Sequence, residues 1–106
     1  MDSIPIKNLE QQIIAALHTC YDPEIPVDIF ELGLIYEINV DENRNAHIKM
    51  TLTSPMCPSA QVMPAEVENK VSMIQGINSV KVEVVWSPSW TTEMMSEAAK
   101  LQLGFL

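Results

Sequence analysis

Residues 34–53 read Leu34-Ile35-Tyr36-Glu37-Ile38-Asn39-Val40-Asp41-Glu42-Asn43-Arg44-Asn45-Ala46-His47-Ile48-Lys49-Met50-Thr51-Leu52-Thr53. In the first half Leu34, Tyr36, Ile38 and Val40 alternate with Glu37 and Asn39. In the second half Ala46, Ile48, Met50 and Leu52 alternate with His47, Lys49, Thr51 and Thr53. A period of two sends successive side chains to opposite faces, so Leu34–Val40 and Ala46–Thr53 each predict a half-buried strand. The polar stretch Asp41–Asn45 between them predicts an antiparallel hairpin.

Upstream of the hairpin, Leu9, Ile13, Ala16, Leu17 and Cys20 recur at helical spacing, and Asn8 followed by Gln11 resembles a capping box. A first helix from about 8 to 19 follows. Pro23 and Pro26 then deny it a continuation and mark an extended loop. Downstream, Ser54-Pro55-Met56-Cys57-Pro58-Ser59 is a loop by composition, and Met63, Val67, Val71 and Ile74 return to helical spacing before Gly76. Proline fits only the first helical turn, so Pro64 predicts a regular helix beginning near Gln61 after a looser turn. Val80, Val82, Val84 and Trp86 predict a third strand, reached by a right-handed β-α-β crossover beside a parallel neighbour. Thr91 or Thr92 is the expected cap of a short last helix carrying Met94, Met95, Ala98 and Leu101. The order α-β-β-α-β-α predicts an α+β fold. It is a two-layer sandwich with helices on one face of a small mixed three-stranded sheet.

The 106 residues suit a single domain, 1–106, and the apolar fraction of 47% with 19% charged residues argues against wholesale disorder. Fourteen acids against six bases give a net charge of −8, and the bases Lys7, Arg44, Lys49, Lys70, Lys81 and Lys100 form no stripe. Neither nucleic acid nor an anionic membrane surface is an expected partner of such a chain. No apolar run is long enough to span a bilayer. Met1-Asp2-Ser3-Ile4-Pro5 has no basic start or apolar stretch, so no secretory signal is expected and cytoplasmic placement is. Two cysteines, Cys20 and Cys57, do not make a disulfide framework, and no CxxC or HExxH exists for a closed zinc site.

Three loops carry the chemistry-bearing residues: 22–27, 51–59 and 86–92. If the second and third strands are parallel, the last two loops meet at one edge of the sheet. Cys57 stands between a strand end and a helix start, where free N–H groups and the helix dipole favour a thiolate, which is both nucleophile and soft-metal ligand. A buried cysteine acting as a small hydrophobe is the alternative. Asp22 and Glu24 suit hard metal ligation, acid–base work or acceptance from the Cys57 loop, against plain turn and solvated roles. His18 and Cys20 extend that set on paper, but both belong with the helix end and its apolar stripe. Thr51 and Thr53 share a face beside Cys57, as strand formers or as donors to a bound group. Trp86 and Trp90 are either core or an exposed anchor. His47 is expected to be exposed, and Met63, Met73, Met94 and Met95 to fill the core. No glycine-rich phosphate loop and no convincing Ser-His-Asp order is present. The residues alone describe a thiol-bearing module rather than an enzyme.

Taken together, Asp22-Pro23-Glu24-Ile25-Pro26-Val27-Asp28-Ile29, Leu32-Gly33-Leu34-Ile35-Tyr36, Met50–Pro58, Val85–Thr91, Met94–Ala99 and Leu103-Gly104 resemble the iron–sulfur cluster assembly factor family that includes SufT and PaaD-like proteins. The resemblance implies the small α/β domain of the NifU C-terminal type. It implies maturation of iron–sulfur proteins alongside the SUF machinery, with SUF-type assembly proteins and iron–sulfur apo-proteins as partners. It places the family's reactive cysteine at Cys57, its acidic loop at Asp22 and Glu24, and its threonine pair at Thr51 and Thr53, with Trp90 in the supporting loop. A cluster usually takes four thiolates. One candidate thiol therefore implies a transient cluster, shared between two chains or handed from donor to recipient, with none tightly bound. Three other readings remain. One is a PaaD-like accessory protein of a multicomponent oxygenase in phenylacetate degradation. Another is a protein-interaction module without metal. A thiol-dependent enzyme ranks last, because no base lies near Cys57 in sequence.

Overall fold

The hairpin forms where the alternation places it. Strand β1 (Ile35–Val40) pairs antiparallel with β2 (Asn45–Met50), Val40 opposite Ala46 and Ile38 opposite Ile48. The structure, a computed structural model, describes residues 5–21, 25–53 and 59–104, with 59–61 by their backbone alone. Asp41 shapes the turn: its Oδ1 accepts from the Asn43 and Asn45 N–H groups at 2.9 Å each, while Arg44 takes a left-handed φ of 66°. Those bonds, the one from Asn45 foremost, hold the Asp41 carboxyl below its ordinary pKa. Ala46, Ile48, Met50 and Leu52 are all buried. β1 carries a bulge: Ile35 faces Met50 and Glu37 faces Lys49, leaving Tyr36 as the extra residue. β2 ends at Met50 rather than Thr53, although Thr51 N–H still donates to Leu34 O at 2.8 Å.

Helix α1 (Ile6–Leu17) buries Leu9, Ile13 and Leu17. It begins two residues before the expected Asn8. The Pro5 carbonyl accepts from Asn8 and Leu9 N–H at 2.9 and 3.1 Å, so backbone geometry opens the helix and no side-chain cap is formed. Helix α2 (Ser59–Ser72) also begins early and runs through Pro64, which therefore sits beyond the first turn. One backbone bond is forgone there, but Met63, Val67 and Val71 are buried beside it, and apolar burial of about 2 kcal/mol per side chain outweighs that loss. Strand β3 (Ser79–Val84) returns parallel to β2, with Ala46, Ile48 and Met50 opposite Val80, Val82 and Val84. The sheet order is β1-β2-β3, α2 packs on β3, and α1 packs on β1 and α2. The mixed sheet with its helical layer is the architecture the pattern predicts.

The C-terminal segment departs from expectation. Thr92–Met94 is a single 3₁₀ turn, Met95 is extended, and only Glu97–Leu103 forms helix α3. Neither threonine caps it. Ser96 does, its Oγ accepting from Ala99 N–H at 3.1 Å, and Gly104 closes it at φ 84°. The extended Met95 resets the helical phase, so Met95 and Ala99 turn inward while Ala98 and Leu101 face solvent. α3 is fastened to the 26–31 segment rather than to the sheet: Ser96 N–H donates to Glu31 O at 2.9 Å and Gln102 Nε2 to Pro26 O at 3.1 Å.

Candidate functional site

Parallel pairing puts the C-terminal ends of β2 and β3 side by side, and the Val85 N–H continues the contact to Met50 O at 2.8 Å. The loops that leave those ends converge on a groove of about 240 Å³ lined by Leu52, Thr53, Trp86, Ser89 and Trp90. Trp90 is half-buried and held by its indole Nε1–H, which donates to Leu32 O at 2.7 Å. Trp86 has left the strand that the alternation assigned to it and is 45% exposed. Both tryptophans thus line the groove, Trp90 as a fixed wall and Trp86 with its side chain exposed.

Thr53 is half-buried on the groove, whereas Thr51 is sealed in the interior at 0% exposure and does not line it. The expected threonine pair is therefore split between a surface and an interior position. Among the described residues no group completes a hydrogen bond to Thr51 Oγ1. Its neighbour is the bulged Tyr36, whose phenol donates to Pro88 O at 2.8 Å and stands 3.4 Å from Met94 Sδ. Burial is the main cause of a raised Tyr36 pKa. Tyr36 was only a strand residue to the sequence reading. The bulge that re-aims it leaves no mark in an alternating pattern.

Cys57, Asp22 and Glu24 lie outside the described residues. Cys57 belongs to the connection between Thr53, on the groove, and Ser59, the first residue of α2. Cys20 is 0% exposed, with Sγ directed at Ala16 O at 3.7 Å, and burial is the main cause of its raised pKa. It is a core residue. His18 caps the end of α1 and turns to Asp28, Nδ1 to Oδ1 3.2 Å, with Nε2 3.9 Å from Glu31 Oε2. Asp28 Oδ1 also accepts from Phe30 and Glu31 N–H at 3.0 and 2.9 Å, and Glu31 bonds the Ser96 hydroxyl. This acidic corner was not singled out in the sequence, although Asp28 followed by two N–H groups at i+2 and i+3 is a turn signature. Among the described residues no three His, Cys, Asp or Glu side chains are grouped to hold a metal ion. His47 is half-buried against Glu83 at 3.0 Å rather than free on the surface. Met63 and Met95 are core as expected, while Met73 is 83% exposed.

A family model described as Iron-sulfur cluster assembly protein matches residues 10–84. The chain is 44% identical over 97 residues to a Fe-S protein maturation auxiliary factor of Porphyromonas gingivalis, covering 92% of each. It is 43% identical to the Fe-S protein maturation auxiliary factor SufT of Staphylococcus aureus, over 78% of this chain and 94% of that one. The crystal structure of a domain of unknown function, DUF59, from Bacillus anthracis superimposes with a TM-score of 0.88 at 42% identity, covering 94% and 95% of the two chains. The resemblance seen in the sequence motifs is borne out.

Proposed function

Because the chain belongs to the iron–sulfur cluster assembly protein family, we propose that it matures iron–sulfur proteins by taking a cluster from a SUF-type assembly machinery and passing it to recipient apo-proteins, with Cys57 as its thiolate. The observation that carries this reading is the convergence of Thr53, Trp86 and Trp90 on one groove at the end from which the Cys57 connection departs. Cys20 is sealed in the core, so of the two cysteines only Cys57 remains for thiolate chemistry. An aromatic, partly apolar groove suits the docking of a protein segment.

One thiolate cannot complete the usual four-cysteine shell. The cargo therefore arrives with donor ligands. The Cys57 thiolate forms one iron–sulfur bond as a donor thiolate leaves, and a recipient thiolate later displaces it. Each exchange conserves charge and electrons, and no catalytic turnover is required of the chain. Asp22 and Glu24 belong to this reading as supporting residues of the site, the acidic loop that the family resemblance implies. The reading places the protein in the reducing cytoplasm, where Cys57 stays a thiol.

Anaerobic reconstitution of wild type and Cys57→Ala, followed by incubation with an apo-ferredoxin, tests it. Wild type is expected to bind iron and sulfide and to load the recipient, and Cys57→Ala to do neither. Equal binding and transfer by the variant overturns the proposal.

A further inference from the structure

Strand β3 lies at an edge of the sheet, so one side of its backbone has no strand partner among the described residues. Val85 N–H points inward, to Met50 O. Backbone groups alternate along a strand, so Lys81 and Glu83 also turn theirs toward β2, and Val80, Val82 and Val84 present theirs outward. The side chains divide the same way. Lys81 and Glu83 share the outer face, and the three valines, only partly buried, lie against the core.

We propose that β3 pairs antiparallel with β3 of a second copy of this chain, about a two-fold axis at Val82, joining two sheets into one of six strands. In that register Val82 faces Val82, Val80 faces Val84, and Lys81 of each copy faces Glu83 of the other. The outward amides at 80, 82 and 84 become the hydrogen-bonded positions. Lys81 and Glu83 become the non-hydrogen-bonded pair, where opposed side chains come closest. Sliding by one pairing step centres the axis on Lys81 or on Glu83 and opposes like charges. An odd offset puts valine on the outer face. Glu83 keeps His47 at 3.0 Å, which holds its carboxylate on the outer face. The opposite edge does not offer the same match: β1 carries Glu37 and no base, so it cannot neutralise a copy of itself.

A pair of six-residue strands buries less than the roughly 1,200–2,000 Å² of a standard interface, so association is weak and concentration-dependent. It leaves the two grooves at opposite ends of a strand pair roughly 20 Å long, so each Cys57 acts alone. That separation favours handover over sharing of a cluster within the dimer.

Sedimentation equilibrium of the full chain, from about 10 µM to about 1 mM, tests the proposal without reference to iron. Wild type is expected to dimerise. Lys81→Glu and Glu83→Lys each oppose like charges at both symmetric positions and are expected to raise Kd about tenfold or more. The double variant Lys81→Glu/Glu83→Lys restores the match and is expected to recover the wild-type Kd. A wild type that stays monomeric, single reversals without effect, or a double variant as weak as the singles overturns the proposal.

Discussion

At the corner built by His18, Asp28, Glu31 and Ser96, both carboxylates are occupied by backbone N–H groups, an imidazole and a hydroxyl. At the groove, Trp86 is 45% exposed and Thr53 half-buried, and no charged side chain is among its described lining residues. The corner is rich in metal-ligand residue types, yet its bonds are spent on fastening α3 and the end of α1 to the 26–31 segment. The groove has few charged groups, yet it exposes apolar surface beside the connection that holds Cys57. Satisfied polar groups fasten, while uncovered aromatic surface is available to a partner.

The strongest way to break this division is at Gly33, where the two regions share a seam. Gly33 sits at φ +82°, and an added Cβ would overlap the Met94 carbonyl oxygen and stand 2.8 Å from its carbon. Gly33→Ala combines left-handed strain with a backbone clash and is expected to cost about 3 kcal/mol or more in urea unfolding, and to disturb corner and groove together. Ser96→Ala tests the corner alone. It removes the α3 cap and the partner of Glu31, for an expected loss of about 1–2 kcal/mol with cluster transfer unchanged. Trp86→Ala is the reverse case. Stability is expected to fall by less than about 1 kcal/mol, because the side chain is half exposed, while transfer to the apo-ferredoxin drops about fivefold or more, read as a rate.

The two thiols give the gentlest test. Native alkylation with iodoacetamide near neutral pH is expected to modify one thiol per chain, at Cys57, and none in Cys57→Ala. Cys20 reacts only after unfolding, because burial favours its neutral form. Since its folded pKa is raised above 9.0, the stability it contributes is complete below that pH and is lost as pH rises through the folded value. An alkaline fall in Tm that is smaller in Cys20→Ala is the expected signature, the remainder coming from Tyr36, whose pKa burial also raises.

Much of the groove was legible from position alone. Alternation at 46–52 and 80–84 marked the two strands, and a helix between them implied parallel pairing, so Thr53 and Trp90 were expected at one edge. The acidic corner was less legible. His18, Asp28 and Glu31 span the end of one helix and a loop, and Ser96, the partner of Glu31, is 65 residues from it. The expected caps at Asn8 and Thr91 or Thr92 were misplaced for a related reason. Pro5 opens α1 through its backbone, and extended Met95 moves the start of α3 to Ser96.

What the amino-acid order determined by itself was the local periodicity: which segments are strands or helices, and which of their faces are apolar. Those preferences are set by neighbours within one or two turns of chain. The tertiary structure alone decided that Tyr36 is bulged toward Pro88, that Trp90 closes on Leu32 across 58 residues, and that Thr51 is sealed while Thr53 is not. Contacts at such separations depend on how the finished sheet and its C-terminal segment pack, and no local pattern encodes that.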